Sequence, residues 1–188
     1  MGVKRGRANP CTYFHSARGL KVLVHGDDFV GVGDRQDLER FMQELQRRFD
    51  INTAMLGLGE GEAREGNILN RVIRVDHEGW HYEADQRHAE IIVSALGLEN
   101  AKAVVTPGED EKPWEHEENQ TALTLAEAST YRALVARCNY LAMDRADLQY
   151  AVKELCKAMS NPTIGDKKAL KRVGRYLIGR PRMVQCFE

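Results

Sequence analysis

The spacing of apolar and polar positions changes period several times along the chain, and each change marks an element. Lys21 to Val24 and Phe29 to Val32 are short apolar runs on either side of His25-Gly26-Asp27-Asp28. Runs rich in valine and phenylalanine joined by turn formers predict a tight β-hairpin. Cys11 to His15 is strand-like as well, and Gly19 gives the turn that would complete a three-stranded meander. A helical period follows, with Leu38, Phe41, Met42, Leu45 and Phe49 as one stripe behind Asp34, a cap, and Asp37, its capping-box-like partner. Glycine and acidic residues over 52–67 predict a loop. Ile68 to Val75 and Trp80 to Glu83 then bracket Asp76-His77-Glu78-Gly79 as a second hairpin.

From residue 84 onward the period stays helical. Asp85 is placed to cap a helix that turns Ile91, Ile92, Ala95 and Leu96 inward and stops at Gly97. Residues 108–121 are acidic and hydrophilic, the composition of a linker. Thr124 and Glu127 form a capping box ahead of Tyr131, Leu134, Val135, Cys138, Leu141 and Ala142. A further stripe runs from Leu148 to Met159 and ends at Asn161-Pro162-Thr163, since the residue before proline is pushed out of the helical region. The last helix sets Ala169, Leu170, Val173, Tyr176 and Leu177 against a basic face of Lys167, Lys168, Lys171, Arg172 and Arg175. The expectation is an α+β chain: a sheet-bearing region over 1–83, a helical region over 84–180 and a tail over 181–188.

Composition sharpens this picture in two places. The chain has 188 residues, 43% of them hydrophobic, enough for a sizeable core, and a formal charge of −1. That small total hides an asymmetry: from Asn161 onward, Lys167, Lys168, Lys171, Arg172, Arg175, Arg180 and Arg182 face only Asp166 and Glu188. Such a concentration attracts phosphates, making nucleic acid the natural partner, although a solvated helix face explains it equally. Cys11, Cys138, Cys156 and Cys186 form no Cys-x-x-Cys pair, which fits a reducing compartment. His77 and His81 have a ligand-like interval, but no cysteine lies nearby to complete a set, so both are expected to be surface histidines. No apolar stretch is long enough to span a bilayer, so no membrane partner is expected, and the location is expected to be intracellular, cytoplasmic or nuclear.

The candidate chemistry lies in Asp27 and Asp28. Adjacent carboxylates at a hairpin tip suit a hard cation such as Mg2+, which prefers carboxylate and phosphate oxygens. Strand alternation aims the two in different directions, so one is the direct ligand. Gly-Asp-Asp is also ordinary turn chemistry, and both readings stand at this level. Ser16, Ser94 and Ser129 lack a nucleophile-elbow context, and Cys11 has no evident base.

The order of these elements resembles the palm of reverse transcriptases, in particular the Ty1/copia retrotransposon class. Four stretches carry the likeness: Ala8 to Tyr13, Val24 to Gly33, Ala84 to Ile92 with Val105-Thr106-Pro107, and, most specifically, Tyr131 to Ala142 continued through Arg145 to Leu148, Met159 to Thr163 and Lys171 to Leu177. The resemblance implies a partial polymerase palm followed by an all-helical, thumb-like region. It gives Asp27 and Asp28 the catalytic, Mg2+-binding role and makes an RNA–DNA template-primer duplex the partner. His25 stands where that family has tyrosine or phenylalanine in its aromatic-x-Asp-Asp motif. Trp80 falls in the hairpin placed like the one that grips the primer end, although a core anchor is an equal alternative. Lys168, Lys171, Arg172 and Arg175 become contacts to duplex phosphates. The family also uses an aspartate from an earlier strand, and no acidic residue precedes Asp27. The expectation is therefore a reverse-transcriptase segment that is catalytically incomplete without an upstream palm and fingers. The alternative is a non-catalytic nucleic-acid-binding remnant.

Overall fold

A computed structural model describes residues 2–109 and 116–188, which divide into two compact units, Met1–Ala63 and Arg64–Glu188. In the first, β1 (Lys4–Arg5), β2 (Thr12–His15), β3 (Leu20–His25) and β4 (Asp28–Val32) form one antiparallel sheet in chain order, followed by α1 (Arg35–Gln46). The meander is as expected, with β1 as an extra edge strand. The central register pairs Val22 with Gly31, Val24 with Phe29 and His25 with Asp28. Alternation puts Val22, Val24 and Phe29 on one face, where they pack with Leu20 against Phe41, Leu45 and Leu38 of α1. A Cβ on Gly31 would come within 3.0 Å of Leu38, so the missing side chain lets the helix settle on the sheet. Asp34 stands at the N-cap of α1 but makes no side-chain cap bond. Asp37 faces Arg18 and Arg40 instead of closing a capping box. Phe49 leaves the stripe and meets the ring of Phe29 at 6.1 Å.

The second unit holds β5 (Glu65–Ile68), β6 (Arg71–Asp76), β7 (Gly79–Glu83) and β8 (Val184–Phe187), antiparallel in that order, together with five helices among the described residues. These are α2 (Arg87–Ala95), α3 (His116–Asn119), α4 (Leu125–Ala142), α5 (Gln149–Lys157) and α6 (Ile164–Gly179). Two expectations change here. The apolar run from Ile68 is broken by Leu69 and Asn70, both at positive φ (50° and 64°), the pattern of a two-residue type I′ turn, so part of the expected loop is strand β5. The expected tail supplies β8, which pairs with β7 from Trp80 to Glu83, and the hairpin assigned to the first region belongs to the second unit.

Helix boundaries follow local chemistry. Thr124 and Glu127 make the expected capping box on α4, and Thr163 and Asp166 make a second one on α6. Gly97, at φ 63°, follows the end of α2, where Leu98 N–H donates to Val93 O in a Schellman arrangement. The inward stripe of α2 is Ala89 and Ile92 with Val93 and Leu96, at i, i+3, i+4 and i+7, while Ile91 and Ala95 face out. The core gathers Ile92, Tyr131, Val135, Cys138, Leu148, Val152, Leu170, Val173 and Leu177 from four helices. The expected acidic linker falls partly on residues 110–115, outside the described residues. Among the described residues, no helix is long and apolar enough to cross a membrane.

Candidate metal and nucleic-acid site

The two-residue turn Gly26-Asp27 joins β3 to β4 and is tighter than the four-residue corner expected. Gly26 takes φ 62°, as the first central residue of a type II′ turn requires, and a side chain there would be strained by the backbone alone. Asp28 is therefore a strand residue. It lies directly across from His25 on the sheet face opposite α1, while Asp27 occupies the tip. Both carboxylates are exposed, and neither has an ion-pair or hydrogen-bond partner among the described residues. The same face carries Phe14, Leu23, Val30 and Val32, with Phe14 and Val32 exposed. Sequence periodicity missed this apolar, uncovered surface because alternation identifies two faces without saying which one the helix takes.

Among the described residues, no group of three or more histidines, cysteines, aspartates or glutamates is placed to hold a metal ion. Two carboxylates suit Mg2+ as a partial ligand set, since that ion keeps waters and takes phosphate oxygens alongside one or two protein carboxylates. Asp27 and Asp28 are the residues that would hold it.

The second unit presents its candidates differently. Trp80, 42% exposed, sits on β7 in register with the exposed Phe187 of β8 and is not a core anchor. The basic face of α6 is largely engaged within the unit. Lys167 Nζ lies 2.8 Å from Glu127 Oε1, and Lys168 Nζ lies 3.3 Å from Glu118 and donates to Asn119 Oδ1. Arg172 is 2.5 Å from Glu109 and donates to Thr106 Oγ1, while Arg175 Nε donates to Lys102 O at 2.7 Å. Lys171 is exposed, and its ammonium has no partner among the described residues. Four of the five cations therefore hold neighbouring segments, which helical periodicity could not reveal because every partner is distant in sequence or across a loop.

Charge ties the strands of the second unit to one another, to the segment before β8 and to the end of α4. Arg182 grips Glu83 with two bonds, Nε to Oε1 at 2.6 Å and Nη2 to Oε2 at 2.5 Å, and Arg74 adds a third at 3.0 Å. The Arg182 guanidinium holds the Glu83 carboxyl below the usual carboxylate range against the opposing effect of burial. Asp144, just past α4, accepts from Tyr82 at 2.5 Å and from Arg71 Nε at 3.0 Å, and its carbonyl accepts from Gln185.

Comparison with known proteins gives three relatives. The chain is 30% identical over 168 residues to the retrovirus-related Pol polyprotein from transposon RE2 of Arabidopsis thaliana, covering 86% of this chain and 10% of the polyprotein. It is 32% identical to the corresponding polyprotein from transposon RE1 of the same plant, over 85% of this chain and 10% of the relative. An uncharacterized mitochondrial protein of that plant is 30% identical over 103 residues, 55% of this chain and 41% of the relative. The chain thus spans about a tenth of the length of the two polyproteins it matches. No family model matches it, and no solved structure does.

Proposed function

The chain belongs to the copia-type transposon Pol polyproteins, and from that premise we propose that it is a segment of their RNA-directed DNA polymerase region. In this reading the hairpin of β3 and β4 is the metal-binding corner. The second unit contacts an RNA–DNA template-primer duplex. The observation that carries the proposal is the two-residue turn, which leaves Asp27 and Asp28 exposed and without partners at the tip of a hairpin whose other face is packed on α1. When bound, Mg2+ would activate a primer hydroxyl and stabilise the leaving pyrophosphate.

The chain's own residues do the rest. Asp28 shares its face with His25, so an imidazole, smaller than the family's tyrosine or phenylalanine, stands beside the metal ligand. The apolar strip of Phe14, Leu23 and Val30 would lie under sugar and base rather than phosphate. In the second unit, exposed Trp80 and Phe187 offer stacking faces and Lys171 a cation for backbone phosphate.

The proposal also holds that the chain is catalytically incomplete alone. None of the residues before Asp27 is acidic, and in this reading the third carboxylate of the family's site is supplied by another part of the polymerase. Primer extension on an RNA template with Mg2+ tests both parts. The chain alone should bind the RNA–DNA duplex with salt-dependent affinity yet extend no primer. Extension by the chain alone refutes the incompleteness, and no duplex binding at low salt refutes the polymerase reading. The alternative, a non-catalytic nucleic-acid-binding remnant, is favoured by the two-carboxylate ligand set. It predicts that the unsubstituted chain still extends no primer when the preceding part of the polymerase region is supplied, whereas the polymerase reading predicts extension there that Asp27→Asn with Asp28→Asn abolishes.

A further inference from the structure

We propose that Cys186 is a site of thiol–disulfide exchange, with His81 as its base and Asp76 orienting the imidazole. The three residues come from three neighbouring strands, β8, β7 and β6, and strand register puts them on one sheet face. His81 and Cys186 are direct cross-strand partners, and Nδ1 lies 3.2 Å from Sγ. The other ring nitrogen, Nε2, lies 2.9 Å from Asp76 Oδ2, a close polar contact bent away from hydrogen-bond alignment. A carboxylate beside Nε2 favours the ring proton there and turns the Nδ1 lone pair toward the thiol. Nucleophile, base and orienting carboxylate in sequence are the arrangement that activates a cysteine.

Accessibility separates this thiol from the others. Contrary to the expectation of a surface histidine, His81 is sheltered, with 13% of its side chain exposed, because β8 brings Cys186 across from it, while Cys186 itself is open to solvent. Burial pushes the Cys138 thiol up to about 12 and raises that of Cys156 as well, which keeps both protonated. Cys11 is exposed like Cys186 but has no imidazole contact among the described residues, so it is an internal standard.

The co-reactant is a low-molecular-weight disulfide. The Cys186 thiol gives its proton to His81 Nδ1, and the sulfur electron pair forms a bond to one sulfur of the incoming disulfide. The S–S bond of that disulfide breaks, and the released thiolate takes the proton back from the imidazolium. One disulfide is consumed and one mixed disulfide formed, with no other oxidant.

The test incubates the full chain with oxidised glutathione near neutral pH and follows each cysteine by peptide mass mapping. Cys186 should acquire the glutathionyl group about tenfold or more faster than Cys11. His81→Gln should bring its rate down to that of Cys11, and Asp76→Asn should lower it part of the way. Equal rates for Cys186 and Cys11 in the unsubstituted chain overturn the proposal, and that comparison needs no variant to fold. An unchanged Cys186 rate in a folded His81→Gln chain overturns it equally.

Discussion

Lys167 Nζ lies 2.8 Å from Glu127 Oε1, so the first turn of α6 is ion-paired to the first turn of α4. The same carboxylate closes the capping box on Thr124. Lys167, and then Thr124, hold the Glu127 carboxyl down to about 2, from an ordinary 4.5. A carboxylate lowered on folding contributes stability that is complete above its unfolded value and is lost as pH falls toward the folded one. The thermal midpoint of the second unit should therefore fall between pH 4.5 and pH 2. Glu83 and Asp147, also lowered, add to that loss. Glu127→Gln should make the fall shallower, and added salt should do the same because the pair is solvent-exposed. Identical slopes for the two proteins would show that the pair contributes nothing.

The cap on α6 gives a smaller, local effect. Thr163 accepts from Asp166 N–H and donates to its carboxylate. Thr163→Ala should cost about 1 kcal/mol in urea unfolding, whereas Leu148→Ala, at a fully buried position, should cost about 2–5 kcal/mol. A cap variant as damaging as the core variant would mean that Thr163 does more than satisfy an amide.

Core size separates the units. Among the described residues, the buried cluster of the first unit is Leu20, Val22, Phe41 and Leu45, against sixteen residues in the second. At about 1.5–3 kcal/mol per fully buried large side chain, the first unit has far less to offset its conformational entropy. Hydrogen exchange should show amides of β3 and β4 opening at lower free energy than those of α4. Uniform protection across both units would contradict this.

On α6, an exposed cation without a partner should behave differently from an engaged one. Lys171→Glu should weaken RNA–DNA duplex binding and reduce the salt slope by roughly one phosphate contact without changing the unfolding midpoint. Arg175→Glu should lower the midpoint, since it removes the bond to Lys102 O. Loss of binding confined to Arg175→Glu would take the phosphate-contact role away from Lys171.

Much of the fold was legible because local chemistry and tertiary packing agree. The hairpin at Gly26, the terminator at Gly97 and the capping box at Thr124 act within a few residues of themselves, and sequence spacing is enough to find them. What escaped depends on partners far along the chain. The helix turn that buries Ile92 and exposes Ile91 is set by α4 and α6, not by the local run of apolar residues. Strand β8 exists because β7 offers an edge about a hundred residues earlier, and the glycine at 79 lets the Phe187 carbonyl come close where a Cβ would collide. At the candidate site, the hairpin bend carrying Asp27 and Asp28 was legible from sequence, but the two-residue turn that makes Asp28 a strand residue was not. The basic face of α6 was found too, while its occupation by Glu109, Glu118 and Glu127 was visible only in three dimensions.

Asp144 collects a guanidinium from β6, a phenol from β7 and, through its carbonyl, an amide from β8. One residue just past a helix thus acts as the rivet between a sheet and a bundle. Cutting it should decouple the two layers, so that Asp144→Ala lets the sheet fray while the helices still melt together, turning one cooperative transition into two.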